Sequence, residues 1–70
     1  MMNNIKCKFA RINGISLNDV ELDETQQHEA ELIIIEENNQ LKILKNRLGV
    51  LVGPISQFKL SILIEAFKGV

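Results

Sequence analysis

The sequence predicts a mainly β fold: one small domain over residues 1–70, an antiparallel sheet or barrel of four to six strands, with one helix in an α+β alternative. Two observations support this prediction. Several segments alternate apolar and polar residues with the period of two that is typical of a half-buried strand. Asparagine-containing pairs stand between such segments, where two-residue hairpin turns require residues that tolerate positive φ.

The first hairpin is predicted around Asn13 and Gly14, because Asn-Gly is a strong signal for a type I′ turn. Before the turn, apolar residues alternate with lysines: Ile5, Lys6, Cys7, Lys8 and Phe9. The return strand is expected over Ile15–Leu22. Its apolar residues change phase between Leu17 and Val20, which predicts a bulge or bend near Asn18-Asp19.

The second hairpin is predicted from three consecutive isoleucines within residues 32–35. Successive β-branched residues lose side-chain freedom in a helix and pack well in a sheet. We expect Glu29–Glu36 to pair with Leu41–Lys45 through a turn at Asn38 and Asn39.

A helix is the alternative for the same region. Asp23 and Gln26 resemble a capping box, and Glu24 stands where the helix dipole favours a negative charge. Such a helix would run from Glu24 to about Asn38. A still longer helix would place three residues at one heptad position: Ile34, Leu41 and Leu48.

The C-terminal part is predicted as a short strand at Val50–Val52, ended by Pro54, followed by a longer strand within residues 56–68. Apolar residues occupy every second position of the longer strand: Phe58, Leu60, Ile62, Ile64 and Ala66. In the helical alternative, Ser56 is the N-cap and Gly69 follows the last turn. That helix would turn four residues inward: Ile55, Phe58, Ile62 and Ala66. The strict alternation favours the strand.

The apolar content is large and aliphatic, with ten isoleucines, nine leucines and four valines against three phenylalanines. A chain of this length buries only about 60% of the surface that its extended form exposes. We therefore expect another chain to cover part of the apolar surface, which predicts a homo-oligomer or a subunit bound to a larger protein.

The sequence also predicts a cytoplasmic protein that is not inserted in a membrane. Cys7 is the only cysteine, which excludes an internal disulfide and fits a reducing compartment. Lys6, Lys8 and Arg11 interrupt the N-terminal segment, so we expect no signal peptide. The longest apolar runs fall well short of the roughly 18–20 residues that cross a bilayer.

Charge is distributed unevenly along the chain. Between Ile12 and Leu41 there are eight carboxylates and no lysine or arginine, whereas all eight basic side chains lie outside that stretch. Six of these carboxylates are the predicted partner-binding residues: Asp19, Glu21, Asp23, Glu24, Glu29 and Glu31. The competing interpretation is internal neutralisation, in which cross-strand pairing brings three basic residues to the acids: Lys42, Lys45 and Arg47.

No pattern predicts catalysis, a metal or a cofactor. His28 is the only histidine, and no second histidine or cysteine pair accompanies it for zinc. Asp19, Glu21 and Asp23 have strand spacing, but the glycine and bidentate glutamate of a calcium loop are missing. The serines lack the context of a hydrolase nucleophile.

We therefore expect a non-enzymatic protein–protein interaction protein, an oligomeric accessory or inhibitory protein. The bias toward isoleucine, asparagine and lysine is typical of AT-rich genomes and favours a bacterium or phage as the source. The alternative function is an acidic nucleic-acid mimic that blocks a DNA- or RNA-handling enzyme. Direct nucleic-acid binding is not expected, because no aromatic residues accompany the basic ones.

Overall fold

The computed structural model describes residues 3–47 and 52–68, and within them the fold is mainly β, as predicted. Five antiparallel strands form one open sheet in the order β2-β1-β3-β4-β5, accompanied by two helices. In chain order the elements are β1 (Ile5–Ile12), β2 (Ile15–Leu22), α1 (Glu24–Glu29), β3 (Ala30–Glu37), β4 (Gln40–Asn46), β5 (Gly53–Ile55) and α2 (Gln57–Lys68). The edge strands of the sheet are therefore β2 and β5.

Both predicted hairpins are confirmed. Asn13 and Gly14 have φ of 52° and 80°, and Asn38 and Asn39 have φ of 52° and 62°. These are the positive values that a two-residue type I′ loop requires of both central residues. In each hairpin the two residues that flank the turn are paired: Ile12 with Ile15, and Glu37 with Gln40.

The predicted irregularity in β2 is a bend at Asp19, whose φ is 50°. The register is the same on both sides of it, because Cys7 pairs with Val20 and Phe9 pairs with Asn18. The backbone therefore bends without a register shift. In both strands, residues that pack in one apolar cluster are three positions apart at the bend instead of two. These residues are Cys7 and Ala10 in β1, and Leu17 and Val20 in β2.

Two apolar clusters make up the core. The first joins α2 to the sheet and contains Phe9, Leu32, Ile34, Leu41, Ile43 and Leu60. The second lies at the β1–β2 side and contains Cys7, Ala10, Ile12, Leu22, Ala30 and Ile33. No charged or polar side chain is fully buried in the described residues. Burial of the two clusters is therefore the main stabilising contribution, at roughly 25 cal/mol for each Å² of apolar surface removed from water.

The prediction of a strand within residues 56–68 is wrong, because Gln57–Lys68 is the helix α2. Its inward residues are Leu60, Leu63 and Ile64, which have the i, i+3, i+4 spacing of one helical face. The helical alternative also misplaced the buried face, since Phe58 and Ile62 point outward.

One alternative near the middle of the chain is excluded, and one prediction near its end is corrected. The helix after Asp23 has only six residues and stops where β3 begins, so a helix reaching Asn38 is excluded. Val52 precedes β5 rather than ending a strand, and Pro54 lies inside β5 opposite Lys42. Proline is tolerated there because an edge strand leaves one side without ladder hydrogen bonds. The remainder of the predicted strand, residues 50–51, lies outside the described residues.

Candidate interaction surfaces

The six carboxylates predicted to bind a partner lie on three different elements. Asp19 and Glu21 are exposed on the edge strand β2. Asp19 forms an ion pair with Lys8, at 3.7 Å between Oδ1 and Nζ, and Glu21 accepts a hydrogen bond of 3.2 Å from the side chain of Asn4. Both contacts are at the surface, where such pairs contribute only about 0–1 kcal/mol.

Asp23 has a structural role at the start of α1. Its Oδ1 accepts a hydrogen bond of 2.8 Å from the backbone N–H of Gln26, and the Gln26 side chain accepts one of 3.0 Å from the Asp23 N–H. This is the predicted capping box, and it satisfies donors that the first helical turn leaves without partners. Asp23 is half-buried, so its carboxylate serves the helix rather than an open surface.

Glu31 lies apart from the edge strand, because β1 separates β3 from β2. The register between β1 and β3 shifts between Arg11 and Ile12, which leaves Glu31 as an extra residue in β3. Its Oε2 lies 3.3 Å from Nε of Arg11, and its carbonyl accepts a hydrogen bond of 2.8 Å from the N–H of Arg47. The bulge thus directs Glu31 to an ion pair within the sheet.

Glu24 and Glu29 are exposed at opposite ends of α1. Within the described residues, neither has an ion-pair partner within 4.0 Å. Four of the six carboxylates are exposed on β2 and on α1, which directly follows it in the chain, and we call this set the acidic edge: Asp19, Glu21, Glu24 and Glu29. Asp23 and Glu31 belong to other contacts.

The basic residues expected to neutralise the acids have different partners. Lys42 does reach a carboxylate, at 3.8 Å from Glu37. Lys45 instead donates to the carbonyls of Gln27 and His28, at 2.9 and 2.7 Å, and Arg47 donates to the carbonyl of His28 at 3.0 Å. These cations therefore complete the C-terminal end of α1, where helix carbonyls lack partners and the dipole is negative.

The pKa shifts follow from the same packing. Partial burial, and then the neighbouring Arg47 charge, lower the pKa of Lys45. Burial raises the pKa of the Cys7 thiol, whose side chain belongs to the second apolar cluster. A buried thiol with a raised pKa is a weak nucleophile, so Cys7 acts as a small apolar residue, in agreement with the alternation around it.

The outer face of α2 is a second surface, which the sequence did not predict. Phe58 is 76% exposed and Ile62 is 56% exposed, and nearby Val52 is 65% exposed. Beside them, between α2 and β5, lies an open groove of about 360 Å³ lined largely by apolar residues, including Ile55, Leu63 and Ala66 as well as Val52 and Ile62. We call this surface the apolar face. A strand in place of α2 would have turned Phe58 and Ile62 inward together with Leu60.

A second groove, of about 480 Å³, lies between the β3–β4 hairpin and the start of α2, and its charged residues are Glu36 and Lys59.

Within residues 3–47 and 52–68, no group of three or more potential metal ligands occurs. Among these residues there is also no helix with the length and hydropathy needed to cross a membrane. Comparisons of the chain with protein-family models, with curated proteins and with solved structures found no match.

Proposed function

We propose that this protein is a non-enzymatic interaction protein, an accessory or inhibitory subunit that acts by binding other polypeptide chains. The exposed apolar face of α2 is the observation that supports the proposal. A surface helix normally turns a polar side to water, whereas α2 carries apolar residues on both its inner and outer sides. Exposed apolar patches of this kind mark sites of protein association.

The acidic edge is a second contact, suited to a partner with a basic surface. Its four carboxylates are exposed, and Glu24 and Glu29 have no ion-pair partner among the described residues. Lys45 and Arg47 are held at the carbonyls of Gln27 and His28, so they partly offset the charge of the neighbouring Glu29, and the acidic edge keeps a reduced negative field. Such a field accelerates encounter with a cationic partner, and salt screens it.

Affinity capture from the native host tests the proposal, with the wild-type chain and three variants as baits. Ile62→Asp alters the apolar face. A quadruple variant neutralises the acidic edge: Asp19→Asn, Glu21→Gln, Glu24→Gln and Glu29→Gln. Its matched control is Glu36→Gln with Glu37→Gln, which removes neighbouring charges from the β3–β4 hairpin. Asp23 is left intact because its loss would uncap α1.

We expect Ile62→Asp or the quadruple variant to lose a protein that the wild-type chain and the control both retain. For the acidic edge, the association rate with that protein should fall as salt rises. If the captured protein handles DNA or RNA and an oligonucleotide displaces the chain from it, the acidic edge acts as a nucleic-acid mimic. Identical capture by all of these forms would contradict the proposed function.

A further inference from the structure

The apolar face of α2 has a regular arrangement along the helix. Phe58, Ile62 and Ala66 are four residues apart and exposed, so they form one stripe. Lys59 precedes Ile62 by three residues, and Glu65 follows it by three. With 3.6 residues per turn, the two charged side chains lie about 60° to either side of Ile62, on opposite flanks of the stripe.

We infer that a second copy of this chain covers this stripe, with the two α2 helices side by side and parallel in a two-fold symmetric dimer. The inference rests on the proposed function and names the partner for its apolar face. A two-fold axis parallel to the helices brings opposite flanks of the two copies together. Lys59 then lies beside Glu65 of the second copy, and the same pair repeats on the other flank.

The charges select this arrangement over the antiparallel one. In an antiparallel pair the same flanks meet, so that Lys59 faces Lys59 of the second copy and Glu65 faces Glu65. In the parallel pair the opposite charges are offset by six residues, about 9 Å along the axis. Long side chains span offsets of this order between the flanks of paired helices. The parallel dimer therefore has two attractive contacts where the antiparallel dimer has two repulsive ones.

A second copy fits the surface because the stripe is complementary to itself. It has an apolar centre with one positive and one negative flank, so the chain supplies both halves of the interface. The contact is small, since a helix of twelve residues is about 18 Å long. A typical stable interface covers about 800 Å² on each partner. We therefore expect a weak dimer, with a dissociation constant on the order of tens of micromolar.

Sedimentation equilibrium over a concentration series tests the association. The wild-type chain should pass from its mass of 7.9 kDa to twice that value as concentration rises. Ile62→Asp should raise the dissociation constant at least about tenfold, because it places two like charges near the axis. Ile15→Asp is the matched control, because Ile15 is 62% exposed but lies on β2, away from the stripe. The dissociation constant of this variant should equal that of the wild type. A constant monomer mass, or equal effects of both variants, would overturn the inference.

Disulfide cross-linking tests the orientation. In the parallel dimer Ala66 faces Ala66 of the second copy, so Ala66→Cys should form a covalent dimer under mild oxidation. In an antiparallel dimer centred on Ile62 these positions are about 12 Å apart along the axis, beyond the reach of a disulfide. Ser61→Cys, exposed but off the stripe, should remain monomeric. Cys7 is 1% exposed and does not interfere. Cross-linking of Ile62→Cys without Ala66→Cys would overturn the parallel arrangement.

Charge reversal tests the flanks. Lys59→Glu and Glu65→Lys should each weaken the homodimer, and an equimolar mixture of the two should associate more tightly than either alone. Failure of this inference is distinguishable from failure of the proposed function. If the chain is monomeric at every concentration and Ile62→Asp still loses a captured protein, the dimer is excluded and the interaction function stands.

Discussion

The two helices of this protein are held in place by different forces. α1 has six residues and no buried side chain, and polar contacts hold both of its ends: the capping box of Asp23 and the lysine and arginine that bind its last carbonyls. α2 has twelve residues and is held by Leu60, Leu63 and Ile64, which pack on the sheet. Local sequence chemistry thus specifies where α1 begins, whereas tertiary contacts hold its end and tertiary packing specifies α2.

The largest expected effect is at Leu60, which is 5% exposed and belongs to the first apolar cluster of the core. Leu60→Ala should lower the free energy of unfolding by about 2–4 kcal/mol, because it removes buried methyl groups and leaves a cavity. Ile62→Ala, on the outer face, should cost less than about 0.5 kcal/mol in dilute solution. Urea denaturation at low protein concentration measures both. Equal losses would mean that α2 is not anchored by its inner face.

The next largest loss of stability is expected at Gly14, in the turn of the first hairpin. It tests whether local sequence chemistry specifies this turn, as it specifies the start of α1. Gly14 has φ of 80°, and a Cβ added there would meet no atom within 4 Å. Gly14→Val should therefore destabilise through backbone strain alone, by roughly 1–2 kcal/mol. Gly14→Asn, which tolerates this conformation, should cost much less. Thermal melting of the two variants distinguishes the cases, and similar melting temperatures would contradict a type I′ turn.

A smaller effect is expected at the helix N-termini. Asp23→Ala should cost about 1 kcal/mol, since it breaks the capping box. Ser56→Ala should cost about 0.5 kcal/mol, because the single 3.2 Å bond from Lys59 N–H to Ser56 Oγ is lost while the inner face of α2 remains packed. Chemical denaturation of both variants measures the difference. A greater loss at Ser56 would reverse the comparison between the helices.

The smallest effect is at the C-terminal end of α1. Lys45→Met removes two hydrogen bonds to carbonyls from a partly exposed cation and should cost about 0.5 kcal/mol at neutral pH. The pKa of Lys45 is lowered in the folded chain, so the unfolded chain holds this proton to higher pH. In the pH range between the pKa of Lys45 in the folded chain and its higher pKa in the unfolded chain, the unfolded chain binds more protons. The free energy of unfolding of the wild type therefore rises with pH there, relative to that of Lys45→Met. Denaturation at neutral and alkaline pH checks the sign, and a gap that narrows would contradict it.

The difference between local sequence signals and tertiary packing also explains how much of the fold could be predicted. Asn13-Gly14, Asn38-Asn39 and the Asp23 capping box are local signals, and each is confirmed. Residues 56–68 were misassigned because α2 has two apolar faces. The apolar residues of its inner face and those of its outer face together occupy every second position from Phe58 to Ala66. The sequence therefore shows the period of a strand instead of the 3.6-residue period of a helix.

The candidate surfaces were only partly predictable for similar reasons. Asp19 and Glu21 are exposed on either side of Val20, and only the structure places their strand at the edge of the sheet. The ion pair of Glu31 depends on a bulge that only the pairing of β1 with β3 reveals. The bonds from Lys45 to α1 join residues 17 and 18 positions apart, so no local pattern indicates them. The apolar face became visible only once α2 was known to be a helix.

The bend at Asp19 and the proline of β5 also bear on aggregation. An open sheet has two edges on which further strands could add without limit, as in amyloid fibrils. On one edge, the bend in β2 and its charged side chains oppose a flat incoming strand; on the other, β5 has three residues and Pro54 lacks an N–H. Strand addition is thereby disfavoured at both edges. An aliphatic-rich chain can thus expose an apolar helix without also offering a flat, unpaired strand to further copies of itself.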